Sequence, residues 1–141
     1  KALVEDFATR TGVETEFNTV VFRNRLDQDA KIALYRIAQE ALTNIERHAA
    51  ATRVSVDIRG HKQGATLRIS DNGIGLDRSL SSRSAGIGLR NMQERVEQLD
   101  GTLRILSGAS PQGGTVIEAT APLTHSLPPE TTTTKKERAR A

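Results

Sequence analysis

The chain has 141 residues, a formal charge of +3, only 3% aromatic residues and no cysteine. Its length suits one domain with a real core, and the lack of cysteine excludes disulfides and thiolate metal sites. No apolar run reaches the roughly eighteen residues that a membrane span needs, and Lys1 to Arg10 lacks the apolar block of a signal peptide.

Ala2 to Thr9 reads as the end of a helix, with Leu3, Val4 and Phe7 on one face and Thr11-Gly12 as its stop. Val13 to Phe17 alternates and predicts a strand that Val20 to Phe22 extends or follows. Asp27 to Ala49 carries the longest helical pattern. Leu34, Ile37, Ala38, Ala41, Leu42 and Ile45 recur at three- and four-residue steps and form one apolar stripe. Asp27 and Asp29 favour its positive end, and Arg47 and His48 its negative end.

Arg53 to Ile58 and Ala65 to Ser70 alternate strictly and predict a hairpin around Gly60 to Gly64. Leu76 to Ala85 is rich in serine and arginine and predicts a mobile loop. Leu89, Met92, Val96 and Leu99 then mark a helix, with Gly101 expected in its left-handed cap. Thr102 to Ser107 and Thr115 to Ala121 predict two further strands around a turn at Gly108 to Gly114. Hairpin-linked strands with two main helices imply an α+β two-layer sandwich. Residues 1–122 make the expected domain. Residues 123–141, with four threonines followed by Lys135-Lys136-Glu137-Arg138, make an expected disordered basic tail.

Three groups of residues carry chemistry. Glu40, Asn44 and His48 stand at i, i+4 and i+8, so they share one side of the long helix beside its apolar stripe. An Asn carbonyl suits Mg²⁺, which keeps several waters and takes few protein ligands, and Glu40 could hold or deprotonate a water or hydroxyl. Asp71 ends a strand and is followed by Gly73 and Gly75, which permit positive φ and close approach of a ligand. Its carboxylate can accept a hydrogen bond from an exocyclic amine such as that of adenine. Gly86-Ile87-Gly88 precedes the next helix, whose free amides would bind an anion. Each group alone also fits an ordinary role: a solvated helix flank, an Asp-Asn-Gly turn, a loop hinge. No Walker loop and no dinucleotide fingerprint is present. Without a basic stripe and with few aromatics, nucleic-acid binding is not expected.

Arg36-Ile37-Ala38-Gln39-Glu40-Ala41-Leu42-Thr43-Asn44-Ile45-Glu46-Arg47-His48-Ala49 resembles the N-box of sensor histidine kinases of the subfamily typified by NarX, DegS and DesK. Asp71 to Leu76 resembles the Asp-box of that subfamily, Gly86 to Val96 its lid end and following helix, and Gly113-Gly114-Thr115 with Ala121-Pro122 its last strand. The resemblance covers residues 1–122 and implies the Bergerat (GHKL) ATPase fold, a mixed sheet with helices on one face.

It further implies ATP bound with Mg²⁺, with Asn44 as the metal ligand. Asp71 would read the adenine amine, with Thr115 supporting a water and Gly73 and Gly75 shaping the loop. The amides around Gly86, Gly88 and Leu89 would close on phosphates, Arg47 and His48 would contact phosphate or pack on the nucleotide, and Glu40 would be the general base. The implied activity is a histidine kinase passing the γ-phosphoryl to a histidine on a dimerisation helix, then to a response regulator.

His48, His61 and His125 fall in no dimerisation-helix pattern, so the acceptor helix is expected outside this chain. The whole protein would then be a homodimer with this domain in the cytoplasm and no membrane contact of its own. The position after Gly75, often Phe in the subfamily, is Leu76 here. An anti-sigma-type serine kinase of related fold and a non-catalytic nucleotide-binding module are the alternatives.

Overall fold

A computed structural model describes residues 2–20, 26, 28–75, 83–107 and 113–122, with 83–85 in backbone alone. Among the described residues, three α-helices and five strands follow in the order α1 (Ala2–Thr11), β1 (Glu14–Val20), α2 (Gln28–Asn44), β2 (Arg53–His61), β3 (Gly64–Asp71), α3 (Arg83–Gln98), β4 (Thr102–Ser107) and β5 (Thr115–Pro122). A single π-helical turn, Ile45–Ala49, extends α2.

The five strands form one sheet in the order β1-β2-β3-β5-β4. β1 runs parallel to β2, and the other three pairings are antiparallel, so the sheet is mixed. The parallel pair requires a crossover between β1 and β2, and α2 supplies it. The alternating apolar residues of the strands face the helices: Val54 and Val56 from β2, Ala65, Leu67 and Ile69 from β3, and Ile117, Ala119 and Ala121 from β5 are all buried. The α2 stripe of Leu34, Ile37, Ala38, Ala41 and Leu42, continued by Ile45 of the π turn, covers them, with Met92 and Val96 of α3, Leu99 just after it, and Val4 and Phe7 of α1. Fully burying a side chain such as Ile37, Ile69 or Met92 contributes roughly 1.5–3 kcal/mol, so this one cluster dominates the stability of the domain.

The opposite sheet face is polar. Asn18 Nδ2 donates to Asp57 Oδ1 at 2.9 Å, Asp57 stands opposite Arg68, Arg68 opposite Glu118, and Arg104 meets Glu118 at 3.4 Å. Alternating charge across neighbouring strands is favourable and solvated. The architecture is therefore the expected α+β two-layer sandwich.

Two local expectations need correction. The helix α3 begins at Arg83, so 83–85 belong to it and not to a loop, while 76–82 lie outside the described residues. At its other end the left-handed residue is Asp100, with φ +58°, and not Gly101. Glycine is needed at 101 for another reason: a Cβ there would collide with the Thr120 carbonyl oxygen, where the chain turns tightly from α3 into β4. Gly12, by contrast, stops α1 in the left-handed conformation, with φ +74° and its N–H on the Ala8 carbonyl at 2.9 Å. The predicted tail, 123–141, and Asp27 lie outside the described residues.

Candidate nucleotide site

Asp71 is reached by strict alternation. Ala65, Leu67 and Ile69 point to the helical layer, and the next inward position is Asp71. A carboxylate therefore occupies a core-facing position at the end of β3, and it is 6% exposed. The same logic places Thr115 inward at the start of β5, one step beyond Ile117 and Ala119, and the β3–β5 register sets it beside Asp71. The Gly73 N–H donates to Asp71 Oδ1 at 2.8 Å, and the Thr115 backbone N–H also donates to this carboxylate. Burial raises the Asp71 pKa above its ordinary value, and the two amide hydrogen bonds offset part of that rise.

The loop after Asp71 is held from both sides. Asn72 Oδ1 accepts from the N–H groups of Thr52 and Arg53, each at 2.9 Å, and its Nδ2 donates to Thr52 Oγ1 at 2.9 Å. The Ile74 N–H donates to the Ala49 carbonyl at 2.8 Å. A Cβ on Gly73 would collide with that same carbonyl, so only glycine lets the loop dock on the end of the π turn. Gly75 and Gly114 adopt φ +91° and +85°, and a Cβ on Gly114 would overlap the Asp71 carbonyl. In sequence, Asn72 is one member of an Asp-Asn-Gly turn. Its anchoring role was missed, because nothing in the pattern says which backbone its amide will meet. Replacing Asn72 by Ala removes three hydrogen bonds and should destabilise the domain by roughly 1–3 kcal/mol. Denaturant unfolding checks this, and an unchanged midpoint would refute it.

The second part of the site is built on α2. Glu40 and Asn44 lie one turn apart and are half-buried. Gly88 of α3 packs directly on them. A Cβ there would lie 3.1 Å from Asn44 Nδ2 and 3.0 Å from Glu40 Cδ, and closer still to the carboxylate oxygen. Gly88 is thus the residue that lets α3 approach the two polar groups. The expectation that Gly86 and Gly88 precede the helix does not hold. Gly86 closes its first turn, and Gly88 and Leu89 fall in the second, where the i→i−4 ladder engages their amides. The Leu89 side chain packs against the core. Arg47, exposed, and His48, half-buried, ride on the π turn directly after Asn44.

Two groups are therefore assembled: Asp71 with Gly73 and Thr115, and Glu40 with Asn44 and Gly88. The π turn joins them, since it follows Asn44 and its last carbonyl docks the loop after Asp71. Among the described residues, no three His, Cys, Asp or Glu side chains gather as a metal cage. One Asn amide beside one carboxylate still fits Mg²⁺, which completes its shell with water and phosphate oxygens.

The sequence profile of the histidine kinase-, DNA gyrase B- and HSP90-like ATPases matches residues 29–125. The chain belongs to this ATPase family. The sensor histidine kinase MctS of Rhizobium johnstonii is 42% identical over 131 residues, covering 91% of this chain and 28% of the relative. The signal transduction histidine-protein kinase/phosphatase DegS of Brevibacillus brevis is 37% identical over 124 residues, covering 88% of this chain and 31% of the relative. The chain thus spans under a third of the length of either. Among solved structures, a mycobacterial sensor histidine kinase, MprB, superposes with a TM-score of 0.64 at 25% identity, over 86% of this chain and 91% of that one. The ATP-binding domain of PrrB from Mycobacterium tuberculosis gives 0.64 at 19% identity, over 86% and 88%. The fold of this ATPase-family domain is thus that of histidine kinase ATP-binding domains. None of its described helices is long and apolar enough to cross a membrane.

Proposed function

We propose that this domain binds ATP with Mg²⁺ and, within a longer sensor histidine kinase, delivers the γ-phosphoryl to a histidine on a dimerisation helix for relay to a response regulator. The observation that carries this reading is Asp71, a buried carboxylate placed on the helical side of the sheet and held by two backbone amides. Such a group is costly to bury, and recognition of a hydrogen-bond donor explains its presence. The exocyclic amine of adenine is such a donor.

The remaining roles follow from position. Asn44 supplies an amide oxygen to Mg²⁺, which neutralises phosphate charge when bound. Glu40, one turn earlier, orients the incoming nucleophile or takes its proton. Arg47 and His48, three and four residues after Asn44, bear on phosphate or nucleotide. Gly73, Gly75 and Thr115 shape the adenine end, and the backbone at Gly86, Gly88 and Leu89 forms the phosphate side once the start of α3 opens. Phosphoryl transfer asks mostly for positioning and charge stabilisation, and this is what such a set provides. The phosphoacceptor helix, the response regulator, a homodimeric assembly and a cytoplasmic setting belong to the same reading, whose kinase part the sensor and signal-transduction histidine kinases among the relatives support.

Calorimetric titration of the 141-residue chain tests it. The domain should bind ATP and discriminate against GTP, which presents a carbonyl where adenine presents its amine. Because a missing hydrogen-bond partner leaves a buried polar group unpaired, the preference should be at least about tenfold. Equal affinity for the two nucleotides would contradict the assignment.

A further inference from the structure

The π turn ties the Asn44 end of the site to the Asp71 end, yet its winding is one that a helix rarely adopts unaided. It closes on Ala50, a non-glycine residue in the left-handed region at φ +52°. Such a turn needs support from its surroundings. Ile45 and Ala49 are buried on its inner side. On its outer side Glu46, two residues after Asn44 and three before Ala49, meets α1: Arg10 Nη1 donates to Glu46 Oε1.

Arg10 is itself placed by packing. Leu3, Phe7 and Arg10 follow at steps of four and three residues, so they share one face of α1. Phe7 is buried in the core and anchors that face. One turn before Arg10, Asp6 Oδ2 lies 3.6 Å from its Nε and orients the guanidinium. Arg10 also occupies the last turn of α1, where a cation suits the helix dipole.

We propose that Arg10 is a positioning residue for ATP with Mg²⁺: through its ion pair with Glu46 it pins the π turn and fixes the spacing between Asn44 and the adenine end at Asp71. The inference rests on the nucleotide reading above and adds a residue from an element outside the site. Both side chains are exposed, so the pair contributes little to global stability, because solvent screens it and ordering two long side chains costs entropy. Its leverage is local. Without it the turn shifts among registers, and only part of the population holds Asn44 and the Ala49 carbonyl in their joint arrangement. Apparent affinity for a ligand that spans both ends falls with that fraction. Asn72 still fixes the loop after Asp71 on Thr52 and Arg53, so a nucleotide held chiefly at the adenine end loses less.

The test is calorimetric titration of ATP into the 141-residue chain, once in Mg²⁺ and once in a chelator. Arg10→Gln, Glu46→Gln and the double variant are compared with the unsubstituted chain. Each single substitution should weaken binding in Mg²⁺ roughly threefold, the scale of one exposed ion pair, and leave binding in chelator nearly unchanged. The double variant should be no weaker than either single, because one interaction is lost only once. Glu46→Gln separates this role from bulk electrostatics, since removing a negative charge near an anionic ligand would by itself tighten binding. Unchanged Mg²⁺ affinity in Arg10→Gln, tighter binding by Glu46→Gln, or losses that multiply in the double variant would each overturn the proposal. So would an equal loss in Mg²⁺ and in chelator, which would make the pair a support of the fold alone. An unsubstituted chain that binds no ATP would instead overturn the nucleotide reading, and the role of Arg10 with it.

Discussion

Asp71→Asn should weaken ATP binding by one to two orders of magnitude while leaving the fold close to its original stability. A hydrogen bond to a charged group is worth about 1.5–3 kcal/mol, and the substitution turns the acceptor facing adenine into a neutral amide. Two effects on the fold oppose each other. Relief of the desolvated charge stabilises, and loss of one acceptor for the Gly73 and Thr115 amides destabilises. The pH dependence separates them. Burial raises the carboxyl pKa in the folded chain, so the folded state keeps its proton to higher pH than the unfolded state. Between the ordinary value of 3.8 and the raised folded value, stability therefore falls as pH rises, and above that range the charge costs a constant amount. Asp71→Asn should lose this pH-dependent decline. ATP engages the ionised form, so wild-type affinity should also grow through the folded pKa by more than that of Asp71→Asn. Phosphate titration is common to both proteins and cancels in the comparison. Calorimetry and urea unfolding across mildly acidic pH measure all of this. Unchanged ATP affinity in folded Asp71→Asn would exclude the adenine assignment.

Asn44→Ala should abolish the Mg²⁺ dependence of nucleotide binding and cut phosphoryl transfer by roughly 10²–10³-fold, the scale on which one preorganised electrostatic contact acts. Its amide lies beside Glu40 and under Gly88, so the lost group belongs to the site and not to the apolar stripe of α2. The chain should bind ATP more tightly in Mg²⁺ than in a chelator, and Asn44→Ala should show no difference between the two. Transfer is then followed in the Rhizobium johnstonii sensor histidine kinase carrying this chain in place of its matching region. A retained metal dependence, or wild-type labelling, would remove Asn44 from the metal's ligands.

The two halves of the site differ in how far the sequence revealed them. Period two in Ala65, Leu67, Ile69 and Asp71 already marks a carboxylate on a buried face, so its unusual environment was readable from alternation alone. The stripe of α2 was equally plain, and it positioned Glu40 and Asn44 at its edge. What pattern could not supply was the meeting of elements distant in sequence. Gly88 resembled a hinge ahead of a helix, yet it sits inside α3 because that helix starts at Arg83 and runs through two glycines. Glycine weakens a helix by about 1 kcal/mol at each such position, so the first turns of α3 are held mainly by their tertiary seat on α2. The anchoring of Asn72 on Thr52 and Arg53 likewise depends on the β2–β3 register, which no local window contains.

The π turn at Ile45–Ala49 sets a limit on length. A π turn accommodates one more residue than an α-turn would, and here that extra residue lies between Asn44 and the carbonyl that receives the Ile74 N–H. Deleting one residue from this stretch would let the helix wind regularly and become locally more stable. Winding the same residues regularly, with none deleted, would instead rotate everything beyond them by roughly 100° about the axis. The Ala49 carbonyl would then turn away from Gly73 and Ile74, and the adenine end would lose its fixed relation to Asn44. The same residues wound as a regular α-helix would make a better helix and a worse site.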